Sequence, residues 1–378
     1  MSDKERPVIM RSIRIRKSSS RRAAWCAASL LAFALVLFAS ACGGTGSTTT
    51  SGAPVSTEGA LSTAVPTSTT AGAAPPEVSK VDLIMDWVPW VLDIPIDVAQ
   101  EKGMYKDAGL EVTQTLPAGA TDVVKFVSTG KSQFGLYYAP DMLMGVAEGA
   151  SLVSVAGLMS HAPVGIAAAP GVEITSPKQL VGKVVGVPMI PSTRASYDSM
   201  LKADGVDPKT VKLVDPGFDL VAPLLKGTYQ AMAFTEFGEL VEAQATGAKL
   251  SYLDFRDWGT PDFAFLNIIA NGDFIQKNPN TVRAFVQATL AGLSYAAQNP
   301  EEAVDIYVAR HPELKKDLLL AQWRAALPSM ATAAAGKPAG WQDVQAWEAL
   351  DAWMVQTGLL AKPVDPAAAV SNDYLAER

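Results

Sequence analysis

Downstream of residue 42 the sequence has no cysteine: of its two, Cys26 lies inside an apolar run and Cys42 stands just beyond it. Thiol catalysis, a structural disulfide and cysteine metal ligation are thereby excluded from the body of the chain. Histidine is nearly as scarce. His161 and His311 are the two present, 150 residues apart, and neither has a companion at the spacing of a metal pair or a catalytic dyad. Structural roles are expected for both. No glycine-rich phosphate loop and no nucleophile elbow is evident. Basic clusters are also missing after residue 41. Residues 1–41 hold eight of the 31 Lys and Arg but only Asp3 and Glu5 of the 38 acids, which leaves 23 bases against 36 acids, about −13, in the remainder. A field of that sign opposes nucleic-acid phosphates and anionic lipid, so no nucleic-acid partner is expected.

What is present begins with an export signal. A basic stretch from Arg11 to Arg22 precedes 16 uncharged residues, Ala23 to Phe38, and then Ala39-Ser40-Ala41-Cys42-Gly43. The run is shorter than the ~20 residues a membrane-crossing helix needs. Small residues before Cys42 resemble a lipobox, in which the thiol takes up lipid and anchors the chain to the outer face of the membrane. Ala39 replaces the usual leucine, so ordinary secretory cleavage is the alternative, and Arg21-Arg22 fits a twin-arginine signal poorly. Residues 1–41 are read as signal peptide and 42–79, rich in Ser, Thr, Gly and Pro, as a disordered tether.

With 49% apolar and 18% charged residues, the 378-residue chain can bury one or two full cores. From Val81 strand-like and helix-like segments alternate, which predicts α/β layers. Expected strands are 81–86, 110–116, 134–138, 183–187, 211–214 and 263–270. Expected helices include 98–102 ending at Gly103, 121–129 capped by Thr121, a helix from Pro140 to Glu148, 193–203 and 220–226. A helical C-terminal region follows, at 279–299, from Pro300, at 312–330 and at 342–357. The segment from Gly130 to Leu143 aligns with that from Gly227 to Leu240, matching Gln133 with Gln230 and Tyr137 with Phe234. The same wiring thus appears twice. Two lobes follow, 80–172 with 262–378 and 176–257, each a mixed sheet flanked by helices, and two crossings between them permit a hinge.

In an open α/β sheet, ligands gather beyond the carboxyl ends of the strands. That selects Asp86-Trp87-Val88-Pro89-Trp90, Tyr137-Tyr138-Ala139-Pro140-Asp141, Pro188 to Arg194, and Phe234-Thr235-Glu236-Phe237. Trp87, Trp90, Tyr137, Tyr138 and Phe234 suit a flat ring held between lobes. Tyr137 and Tyr138 point to opposite faces, so at most one lines a cleft. Asp86, Asp141 and Glu236 are acceptors for an amino group, Glu236 being the expected direct contact. Ser192-Thr193-Arg194 at a helix start would instead suit an anion such as a sulfonate.

Asp86-Trp87-x-Pro89 and the stretch from Val98 to Val112 resemble the opening of thiamine-pyrimidine-precursor binding proteins, within the type II periplasmic binding proteins. Residues 130–135, 177–186, 278–285 and 299–303 are similar to the same group. The resemblance implies a two-lobed fold with a cleft, no catalysis, and delivery of a small molecule to an ABC permease and its ATPase; no cofactor is expected, and a monomer is expected from a single-cleft mode of action. Ligands of the group include thiamine pyrimidine precursors, riboflavin and, in relatives, sulfonates. It carries Asp86, Trp87, Tyr138 and Glu236 onto positions used around the ring. Trp90 and Asp93 stand where the group has Asn and His. A fungal pyrimidine-forming enzyme of the group uses a histidine, a cysteine-rich motif and iron, and nothing in this sequence matches those parts.

Overall fold

The computed structural model describes residues 74–376 apart from 120–121, 218 and 334–335. The expected signal peptide, Cys42, the tether up to residue 73 and the Thr121 cap lie outside the described residues. Among the described residues ten strands occur in chain order: β1 (Lys80–Ile84), β2 (Glu111–Thr115), β3 (Phe134–Tyr138), β4 (Leu152–Met159), β5 (Val164–Ala168), β6 (Val184–Gly186), β7 (Lys212–Val214), β8 (Ala231–Thr235), β9 (Tyr252–Asp254) and β10 (Leu266–Asn271). They form two five-stranded sheets, ordered β2-β1-β3-β10-β4 and β7-β6-β8-β5-β9. In each, three parallel strands adjoin one antiparallel strand, which pairs in turn with the edge strand.

The two sheets are built by the same local device. Gly130 and Gly227 have φ of 72° and 70°, a left-handed turn that suits glycine. Three residues on, Gln133 Oε1 accepts from Asp82 N at 2.8 Å, and Gln230 Oε1 accepts from Val184 N at 2.9 Å. Each glutamine's own N–H donates back to the same residue's carbonyl, at 3.0 and 2.9 Å. The side chain therefore extends the parallel ladder by one step at matching points, and β3 and β8 start in the same register.

Corrections to the expected boundaries have clear physical reasons. Val164–Ala168 pairs with β8 and β9, so the first crossing between sheets falls near residues 160–163 and not at 172. Strands β4 and β5 are not among the expected strands: turn residues flank them, Gly149 before β4 and Pro170-Gly171 after β5, but their Ala and Gly content carries weak strand preference. The strand expected from Phe263 begins at Leu266, and the helix expected from Pro312 begins at Lys316. Residues 74–79, assigned to the tether, are already tied down. The Glu77 carboxylate accepts from the free N–H groups of Asn280 and Thr281 at the start of the Pro279–Gln298 helix, at 3.1 and 2.8 Å, where a negative charge complements the helix dipole.

That helix lies against Ile94–Glu101 so closely that a Cβ on Gly292 would sit 2.3 Å from the Pro95 carbonyl oxygen. The C-terminal region also covers the edge strand β4, through Gly157 N to Gly340 O and Ser371 N to Ser154 O, both 2.9 Å. An otherwise unpaired strand edge is thereby closed.

Both histidines are held in the frame. His311 Nε2 meets the buried Asp97 at 3.1 Å, alongside Arg310. His161 Nδ1 pairs with Asp262, whose other oxygen accepts from Ala162 N at 3.3 Å, joining the two crossing segments.

Candidate functional site

The carboxyl-end tips of β1 and β3 face those of β6 and β8, and between them lies a cavity of about 130 Å³. An engineered cavity of ~150 Å³ holds benzene, so the space in this conformation matches one six-membered ring. It is too small for three fused rings. Trp87, Trp90, Tyr138, Phe234, Phe255, Phe263 and Phe265 supply its aromatic wall, with Ser192, Thr193, Ser196, Thr235, Glu239 and Thr260 as its polar residues.

Asp86 organises the first-lobe side. Only 1% exposed, it accepts from Tyr138 Oη at 2.7 Å on one oxygen and from Trp90 Nε1 at 3.3 Å on the other. One carboxylate thus fixes two rings of the wall. Burial pushes its pKa up to about 6, against the opposing pull of the Tyr138 and Trp90 hydrogen bonds. Asp93 is also buried and is raised well above the usual carboxylate range, first by burial and then by the charge of Asp86. Its Oδ2 accepts from Trp90 N and Tyr307 Oη, at 3.2 and 3.3 Å, while Oδ1 has no hydrogen-bond partner. Burial and the Asp86 charge likewise push the Tyr138 hydroxyl upward, so it stays a donor.

On the second-lobe side, Thr235 ends β8 and its N–H and hydroxyl both donate to Glu239 Oε2, at 2.9 and 2.6 Å. Oε1 is then the remaining acceptor of a carboxylate that lines the cavity beside the aromatic rings. Across the lobes, Ser192 Oγ donates to Asp141 Oδ2 at 2.8 Å. Burial raises the Asp141 pKa to about 6, partly offset by this hydrogen bond.

Trp87, Trp90, Tyr138, Pro188, Ser192, Thr193 and Phe234 of the anticipated residues share the cavity wall. Asp86, Tyr137 and Asp141 line an adjoining groove of about 690 Å³, which shares Trp87, Tyr138 and Ile190 with the cavity. Of the two tyrosines, only Tyr138 reaches the cavity, as strand alternation requires.

Two anticipated residues are elsewhere. Arg194 Nε donates to Asp198 at 3.0 Å, and the pair lines a separate pocket with Lys202 and Leu359. With Ser192 already donating to Asp141, the anion cradle expected from Ser192-Thr193-Arg194 is not assembled, and no Lys, Arg or His belongs to the cavity wall among the described residues. Glu236 also lies off the wall. Its N–H donates to Pro163 O as β8 ends, and its carboxylate sits 3.9 Å from Arg256, which is bound more closely by Asp254. Glu239, one helical turn beyond, lines the cavity instead. Thr260, Phe263 and Phe265 were also missed as site residues; the aromatic pair was read as part of a strand, but it lies just before β10.

A profile of the NMT1/THI5-like family matches residues 93–303. The chain belongs to the NMT1/THI5-like family. Among relatives of this NMT1/THI5-like protein is the formylaminopyrimidine-binding protein of Halalkalibacterium halodurans, 27% identical over 76% of this chain and 88% of that one. The 4-amino-5-hydroxymethyl-2-methylpyrimidine phosphate synthase THI13 of Saccharomyces cerevisiae is 28% identical over 65% and 75% of the two chains. The alkanesulfonate-binding protein SsuA of Xanthomonas axonopodis pv. citri, solved with MOPS, superposes with a TM-score of 0.61 over 79% of this chain and 99% of that one, at 13% identity. This likeness shows that the NMT1/THI5-like chain has the two-lobed type II periplasmic-binding-protein fold, with a mixed sheet in each lobe.

Proposed function

We propose that this protein is the extracytoplasmic receptor of an ABC importer and captures a small uncharged aromatic heterocycle bearing an amino group, such as a thiamine pyrimidine precursor. One observation carries the reading: a ring-sized aromatic cavity offers the Glu239 carboxylate as acceptor and no cation. Stacked aromatic pairs contribute ~0.5–1.5 kcal/mol each beyond area burial, and the half-buried Glu239 carboxylate favours a ligand that donates. The relative named formylaminopyrimidine-binding protein supports the same class.

Binding without turnover is favoured over the activity named for the yeast relatives. Asp93 stands near the place of the enzyme's histidine, and the sequence has no cysteine after Cys42. Lipid attachment at Cys42, delivery to a permease with its ATPase, a monomeric state and hinged closure of 80–172 with 262–378 over 176–257, adjusted at the β5 boundary, complete the proposal.

The test is a thermal-shift and calorimetric comparison of 4-amino-5-hydroxymethyl-2-methylpyrimidine with taurine. A ligand at 100-fold excess over its Kd stabilises by ~2.7 kcal/mol. Stabilisation by the pyrimidine supports the reading; stabilisation by taurine alone overturns it in favour of a sulfonate receptor.

A further inference from the structure

Thr260 lies in the crossing segment that leads from β9 in the second sheet to β10 in the first, between Gly259 (φ 91°) and Pro261. It is 5% exposed and belongs to the cavity wall. Its backbone N–H donates to Phe255 O at 3.3 Å, but its hydroxyl has no hydrogen-bond partner. Among the described residues, the other buried side-chain oxygens and nitrogens without partners belong to residues that do not line this cavity. Buried hydroxyls are normally satisfied, so an unsatisfied one on a residue of the cavity wall calls for a partner from outside the chain, met by a small shift of the wall because the oxygen itself is covered in this conformation.

A water or a polar ligand edge can supply it. A buried water needs two to four polar partners; Ser192, Thr193, Ser196, Thr235 and Glu239 also line the wall, so a water held there is one that a polar ligand atom displaces. The rest of the wall combines aromatic rings with apolar side chains. A ring with a neutral polar atom at its edge fits both needs.

We propose that Thr260 is a specificity-determining residue whose hydroxyl bonds a neutral ring nitrogen, amino or hydroxyl group of the ligand, placing that contact on the segment joining the lobes. This rests on the reading of the cavity as a heterocycle site. Glu239 and Thr260 would then hold the ligand from the segments that follow two successive strands, one just after β8 and the other after β9.

The experiment compares wild type, Thr260→Val and Thr260→Ser by calorimetric binding of 4-amino-5-hydroxymethyl-2-methylpyrimidine and by urea denaturation without ligand. Valine keeps the shape and removes the hydroxyl. Its ligand-free urea midpoint is expected to equal or exceed that of wild type, because an unpartnered polar group is replaced by an apolar one. Its affinity is expected to fall about tenfold, while serine stays within about threefold of wild type. A lower ligand-free midpoint for Thr260→Val would mean that the hydroxyl has a partner inside the protein, and overturns the proposal. So does wild-type affinity in that variant. If wild type itself does not bind the pyrimidine, the heterocycle reading fails first, and that result is distinct from either outcome in the valine variant.

Discussion

Ser192 and Asp141 join the two lobes directly: the hydroxyl at the start of the Pro191–Ala203 helix donates at 2.8 Å to a carboxylate in the first turn of the Ala139–Ala147 helix. Both side chains are buried. Asp141 was expected as a ligand acceptor or a helix-dipole partner; its geometry makes it a fastening between lobes beside the cavity. A ligand that draws the lobes together and a hydrogen bond that does the same act on one equilibrium.

Burial of Asp141 and Asp86 gives a pH dependence with a definite sign. Burial pushes Asp86 and Asp141 up to about 6, above the 3.8 of a free aspartate. Between roughly pH 4 and 6 the native chain holds protons that the unfolded chain has released, so these groups make stability fall as pH rises through that window, by at most about 3 kcal/mol each. Asp141→Asn keeps an acceptor for Ser192 and removes the titration. Urea midpoints at pH 4.5 and 7 should therefore differ less in the variant than in wild type. Parallel pH profiles would show that Asp141 does not carry a raised pKa.

Tyr138→Phe removes one of the two side-chain donors that hold Asp86. A buried carboxylate deprived of a hydrogen bond costs about 1–3 kcal/mol, and the Asp86 pKa should rise further. Chemical denaturation at pH 7 measures the loss, which should shrink at pH 5 as Asp86 takes up its proton. A loss independent of pH would assign the effect to packing of the ring alone.

The paired glutamines predict matched losses. Gln133→Ala and Gln230→Ala each leave a backbone N–H at the start of a parallel strand without its acceptor, and each should cost about 1–2 kcal/mol. Gly292→Ala should be worse than either, since its Cβ meets a backbone oxygen that cannot rotate away. Urea midpoints of the three variants rank them.

These contrasts also explain what the sequence made legible. Phe134–Tyr138 was read to the residue because a short apolar run lies between a Gly-x-x-Gln turn and a helix-starting proline, three independent local signals. Val164–Ala168 was missed because Gly165, Ala167 and Ala168 carry weak strand preference, and pairing with β8 and β9 overrides it. The same limit applies at the site. The strand tips are set by local pattern, so Trp87, Trp90, Tyr138 and Phe234 were identifiable. Which acid follows Phe234 into the cavity depends on how the chain turns after Thr235, and Arg256, twenty residues downstream of Glu236, lies beside that residue's carboxylate.

Glu236 and Glu239 therefore make the sharpest test of the cavity. Glu239→Gln retains an oxygen for the Thr235 N–H but replaces a carboxylate acceptor with an amide, and should weaken binding of 4-amino-5-hydroxymethyl-2-methylpyrimidine by about ten- to a hundredfold, the range for hydrogen bonds to charged groups. Glu236→Ala breaks only a long contact with Arg256, which keeps Asp254, and should leave affinity within about twofold. Trp87→Ala, removing a wall ring, should reduce affinity without unfolding the protein. Calorimetry of the three variants reads all of this directly: a large loss in Glu236→Ala with none in Glu239→Gln would mean that the bound state turns the end of β8 over, exchanging one acid for the other, and would replace Glu239 as the acceptor.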